Sequence, residues 1–164
     1  MKTFVMKGLG YGLTSGIITT LGMMVGLNAG THSKVAVLGG IFIIAIGDSL
    51  SDALGMHISE ESVGDGTAAH HKGAWLAMVS TFIFKVLFAL IFVVPVLLLS
   101  LEIAVWVSVA VGMIIISLFS WVFAKKQGGK PLHAVGEHVL IAGIVVVLTH
   151  LVGDFVNYYF GAAV

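Results

Sequence analysis

The stretch VAVLGGIFIIAIGDSLSDALGM, residues 35–56, decides what kind of protein this chain is. About 20 predominantly apolar residues in a helix rising 1.5 Å per residue cross a bilayer's hydrocarbon core, and this run is long enough to do so. Yet it carries Asp48 and Asp52, one helical turn apart. A carboxylate at mid-bilayer costs roughly 2.5 to 3.5 kcal/mol on insertion scales, so a retained pair marks a functional site by default.

The rest of the chain has the same solvent. Of its 164 residues 59% are hydrophobic and 10% charged, where a soluble domain carries about 25% charged residues. Apolar runs over residues 9–30, 35–58, 74–99, 102–124 and 136–160 predict an all-α integral membrane protein, five transmembrane helices forming one domain over residues 1–164. Net charge is zero and arginine is absent, which speaks against a nucleic-acid partner. Without cysteine there are no disulfides and no thiolate ligands. Lys2 and Lys7 ahead of an apolar run ending at Asn28-Ala29-Gly30 outline a signal peptide, but the run is as long as its neighbours and reads as a retained first helix.

Lysine placement sets the expected orientation. Lys2, Lys7, Lys72, Lys125, Lys126 and Lys130 fall on one side, Lys34 alone on the other, and Lys85 within the membrane. The N-terminus is expected in the cytoplasm and the C-terminus outside. With no organelle address, a prokaryotic plasma membrane is the expected host.

Small residues indicate where helices approach. Gly8, Gly12 and Gly16, then Gly22, Gly26 and Gly30, recur every fourth residue on the first span, as do Gly47, Ser51 and Gly55 on the second. Such rows let backbones come close where lipid supplies no hydrophobic drive. They predict tight contact between spans one and two, within a protomer or across a homodimer.

Beside the second-span glycine row runs another: Asp48, Asp52, Met56 and Glu60, each four residues apart and so on one helix face. Carboxylates suit hard or borderline cations such as Fe²⁺ and Mn²⁺, and a thioether adds softness. Met23 is placed to face this ladder, and Ser15 to add a hydroxyl. Two close carboxylates repel, so one should hold its proton, as in a group that exchanges protons for cations. The other reading is a buried structural bridge between these acids and Lys85. His150 and Asp154, also four apart on span five, repeat the polar pairing as a secondary candidate for proton coupling or charge pairing.

The loop after span two gathers His57, Glu60, Glu61, Asp65, His70 and His71, either a metal-collecting vestibule or a solvated polar turn. Lys125, Lys126 and Lys130 suit anchoring to lipid phosphates. No nucleophile with an oriented base points to an enzyme, and no tightly bound cofactor is expected.

The first-span phrase Ser15-Gly16-Ile17-Ile18-Thr19-Thr20 leading to Val25-Gly26-Leu27, the second-span phrase Leu50-Ser51-Asp52-Ala53-Leu54-Gly55-Met56-His57-Ile58-Ser59, Pro95 and the stretch from Gly143 to Gly153 together resemble the vacuolar iron transporter family of plant and yeast iron and manganese carriers. The resemblance implies a homodimer of five-helix protomers that moves Fe²⁺ or Mn²⁺ out of the cytoplasm in exchange for protons. Ser15 stands where that family has an aspartate, acid and thioether have exchanged places around Asp52 and Met56, and the long cytoplasmic insert is missing. On this reading Asp48, Asp52 and Met56 form the transmembrane site, His57, Glu60 and Glu61 its entrance, and Lys85 a counter-charge. A carrier for another small cation or a proton-linked solute, and a non-transporting scaffold, are the alternatives.

Overall fold

The computed structural model describes residues 1–161, and these are helical almost throughout. The elements are α1 (Lys2–Thr31), α2 (Lys34–Ile43), a π-helical turn (Ile44–Asp48), α3 (Ser49–Ser62), α4 (Ala68–Leu90), α5 (Val93–Leu98), α6 (Leu101–Lys126) and α7 (Pro131–Phe160). Five stretches are long and apolar enough to cross a membrane: α1, α2 through α3, α4 through α5, α6 and α7. Each begins before the apolar run that announced it, by one residue to seven, while the third ends at Leu98, one residue short of its run. Hydropathy registers only the hydrocarbon-facing core, whereas the backbone stays helical through flanking turns rich in Lys, His and Glu.

Local chemistry accounts for the breaks. Ser33 starts α2, its hydroxyl accepting from the Ala36 amide at 3.2 Å. Thr67 caps α4 by accepting from the His70 amide at 3.2 Å, and Gly66 supplies the left-handed backbone, φ +72°, of the preceding turn. Pro95 has no amide for the Ile91 carbonyl four residues earlier, and the helix gives way at Ile91–Phe92 before resuming as α5.

The chain gathers into two compact units: Met1–Ile17 with Ile41–Ile91, and Ile18–Gly40 with the residues from Phe92 onward. In the first, Gly8, Gly12 and Gly16 of α1 lie against α4. A Cβ on Gly12 would stand 2.7 Å from the Thr81 carbonyl oxygen, and one on Gly16 3.0 Å from that of Lys85. In the second, Gly22, Gly26 and Gly30 lie against Val145, Thr149 and Gly153 of α7. Within the protomer the glycine rows thus serve other contacts than the expected one. Both glycine rows of span one are filled by spans three and five, while Gly47 and Gly55 of span two face open space. Spans one and two meet through other residues: Met23 and Leu27 of α1 lie over Gly40 in the second unit, and polar side chains join the two spans in the first.

Small residues dominate the first unit's interior, with Ala45, Ala53, Ala74, Ala77 and Ala89 all buried. Phe92, Val96, Ala104, Val105 and Ile116 fill the second. The buried Ser80 hydroxyl turns back onto its own helix, donating to the Leu76 carbonyl at 2.6 Å, and the half-buried Thr149 donates to that of Val145 at 2.8 Å. The outward surface is apolar, with Leu50, Leu54, Ile58, Trp106, Leu118 and Leu148 exposed. Such a surface suits lipid rather than water.

Candidate ion site on spans one, two and three

The glycines of α1 create the site. Because Gly12 and Gly16 lack side chains, the backbone and stem of Lys85 lie directly against α1, and Lys85 is wholly buried (0% exposed). An isolated ammonium would not remain charged in such a place. Lys85 is not isolated: its Nζ lies 2.5 Å from Asp48 Oδ2 and 2.5 Å from Asp52 Oδ2, and it donates to the Asp48 carbonyl oxygen at 3.4 Å. Ser15 of α1 donates to the same Asp52 oxygen at 2.6 Å, and the Tyr11 phenol lies near enough to feel the Asp52 charge.

The backbone contributes too. Asp48 ends the π-helical turn, where the Ser49 amide donates to the Ile44 carbonyl five residues back. The wider turn changes the register between α2 and α3, and single π turns of this kind recur at functional sites. Asp48 and Asp52 stay 36% and 20% exposed at the side chain while the lysine between them is sealed. With both acids ionised the cluster carries one net negative charge, open to a further proton or cation.

Two turns along α3 a second cation–carboxylate pair forms. Lys7 Nζ donates to both oxygens of Glu60, at 2.8 and 2.9 Å, and Glu60 is buried. Lys7 and Ser15 are eight residues apart on α1, as are Asp52 and Glu60 on α3. Two rows of polar residues therefore run antiparallel in register, Lys7, Tyr11 and Ser15 facing Asp52, Met56 and Glu60. Met56 is half-buried between the two ionic contacts.

The remaining expected residues fall into separate groups. Glu61 Oε1 lies 2.6 Å from His71 Nδ1 and 3.5 Å from His57 Nε2. Trp75 donates its indole N–H to His71 Nε2 at 3.2 Å, which leaves the His71 proton on Nδ1, facing Glu61. His57 packs against the Trp75 ring with centroids 4.7 Å apart, and its Nδ1 is buried without a partner. His70 donates from Nε2 to the Glu60 carbonyl at 2.9 Å, so it acts on the backbone. A cavity of about 470 Å³ lined by Glu61, Thr67, His70 and His71 opens here. Asp65 accepts from the Thr67 amide and hydroxyl, and these bonds hold its carboxyl below the ordinary carboxylate range.

Met23 belongs to the second unit, where its thioether fills the space over Gly40. His150 and Asp154 also belong there, 3.5 Å apart on the outer face of α7 and about half-exposed. Among the described residues no three His, Asp or Glu side chains converge as a metal-holding group. Sequence reasoning passed over Lys7, Tyr11 and Trp75. The first two were legible as a four-residue recurrence with Ser15 on span one; Trp75 carried no such signal.

No family model, no curated protein and no solved structure matches this chain.

Proposed function

We propose that this protein is a proton-coupled cation carrier whose site is Asp48, Asp52 and Ser15, with Lys85 as a tethered counter-cation. The observation that carries this reading is the wholly buried Lys85 ammonium shared between two partly open carboxylates. Protonating one acid neutralises the cluster; losing that proton leaves one negative charge for a second cation. Each occupant raises the cost of the other, which is the coupling an exchanger requires. An arriving divalent ion competes with an ammonium that cannot leave, so loading shifts Lys85 off one carboxylate.

The resemblance described above makes Fe²⁺ or Mn²⁺ the first substrate to test, moved out of the cytoplasm, with Met56 a soft donor one turn on. The lysine distribution supports a cytoplasmic N-terminus and an outer C-terminus. The exposed row Gly47, Ser51 and Gly55 supports a homodimer formed through span two. A prokaryotic plasma membrane remains the proposed host.

A specific observation favours a second reading. Two carboxylates and the Asp48 carbonyl oxygen surround the Lys85 ammonium, as expected of a static bridge stapling α3 to α4.

Uptake into liposomes holding the purified protein, a trapped metal-quenched dye and an imposed pH gradient separates the two. Gradient-dependent Fe²⁺ or Mn²⁺ entry, lost in Asp52→Asn while the protein stays folded, is the expected result. Saturable flux that ignores divalent metals would assign the site to another cation. Absence of any gradient-driven flux would leave the staple.

A further inference from the structure

The turn joining α6 to α7 builds a feature that the ion site does not use. α6 ends in a tight glycine cap: Gly128, with φ +69°, donates to the Lys125 carbonyl at 3.3 Å, and Gly129 to that of Ala124 at 2.9 Å. Pro131 then starts α7 at once, its fixed φ already helical. The chain reverses within four residues, Gln127 to Lys130, with little freedom left. Held open by this turn is a cavity of about 670 Å³, lined by Trp121, Lys125, Gly128, Gly129, Lys130, Pro131, Leu132 and His133.

Its chemistry is two-sided. Trp121, Pro131 and Leu132 make the lining mainly apolar, and Trp121 and Leu132 are 44% and 76% exposed. Lys125 and Lys130 complete the lining with two cationic side chains. Neither is ion-paired among the described residues, whereas Lys7 and Lys85 both are. Glu137, one turn beyond His133 on α7, lies 3.4 Å from His133 Nδ1. Unpaired cations over an apolar pocket, at the ends of two membrane-length helices, match a ligand with a phosphate at one end and hydrocarbon at the other.

We propose that this pocket binds the headgroup of an anionic phospholipid, its phosphate between Lys125 and Lys130 and its upper acyl chain against Trp121 and Leu132. The proposal rests on α6 and α7 crossing a membrane and is independent of what the ion site carries. A soluble phosphate would use the lysines but gain nothing from the apolar wall.

Trp121 supplies the readout. The protein is reconstituted into phosphatidylcholine vesicles containing phosphatidylglycerol brominated on an acyl chain near the carbonyl, and tryptophan quenching gives the preference for the anionic lipid over brominated phosphatidylcholine. The Trp121→Phe protein identifies Trp121's share. A preference at Trp121 that falls about tenfold in K125Q/K130Q is expected, each lysine at the surface being worth roughly a fewfold to tenfold in lipid affinity. Lys126→Gln removes the same charge from a residue outside the pocket lining and should leave the preference largely intact. An equal loss in Lys126→Gln and Lys125→Gln would reduce the effect to diffuse surface charge and overturn the proposal. So would no preference at Trp121, or its abolition by millimolar inorganic phosphate at constant ionic strength.

Discussion

Lys85 and Asp52 meet at 2.5 Å with the ammonium wholly buried and the carboxylate also accepting from Ser15, so α1, α3 and α4 share one charged junction. Each helix brings a different chemical part. α1 brings the space left by glycine and a hydroxyl, α3 the acids, α4 the cation.

Removing that cation leaves two carboxylates facing each other in a poorly solvated place. Lys85→Met should destabilise the protein by about 3 kcal/mol, the low end for breaking a buried pair, because Asp48 keeps some solvent screening at 36% exposure. Thermal unfolding in detergent measures it, and Lys85→Met/Asp52→Asn should regain part of the loss. A double variant as unstable as the sum of the two singles would show that the groups are not coupled.

The Lys7–Glu60 pair tests the register of the two polar rows. Lys7 is 47% exposed at its side chain and Glu60 only 7%. Lys7→Met should therefore cost more than an open surface pair, about 1 kcal/mol, and Lys7→Met/Glu60→Gln should recover most of it. A double-mutant cycle in the same unfolding assay reads the coupling; additivity would place the two side chains apart.

Glycine positions separate the contacts within a protomer from those between protomers. Gly12→Leu should abolish stable folding or cation transport, since even its Cβ meets the Thr81 carbonyl at 2.7 Å. Gly55→Ala meets nothing within 4 Å and should leave the protomer as stable or slightly more so, alanine being the better helix former. Under the proposed homodimer the same change weakens association, which sedimentation in detergent detects as a shift toward monomer.

The turn before α4 should loosen in acid. Bonds from Thr67 hold the exposed Asp65 carboxyl below its ordinary value of 3.8. Its contribution to the turn is thus present above that value and lost as pH falls through the lower folded-state value. Hydrogen exchange of the first-turn amides of α4 should quicken at the acid end of the range in the native sequence. In Asp65→Asn the exchange should lose this pH dependence.

Much of the fold was legible because membrane length and apolarity are additive properties of a segment. The candidate site was legible only in part. The four-residue row Asp48, Asp52, Met56 and Glu60 identified one wall, since a helix puts such residues on one face whatever surrounds it. Its partners were harder to read. Lys85 stood out by its charge, but Lys7 and Tyr11 sit among interfacial residues common at helix ends, and the π turn at Ile44–Asp48 has no composition that announces it.

The sequence by itself determined that this chain is helical, that five of its stretches are long and apolar enough to cross a membrane, and which polar residues interrupt them. Tertiary structure alone decided the partners. Every glycine row offers the same flat face, and helix-to-helix contact in an apolar solvent is chosen by shape and polar pairing rather than by hydrophobicity. The rows of α1 were therefore filled by α4 and α7, while the row on α3 stayed open. The same choice turned two isolated aspartates into a shared-cation site, because a carboxylate's chemistry depends on which charge is brought within a few ångströms of it.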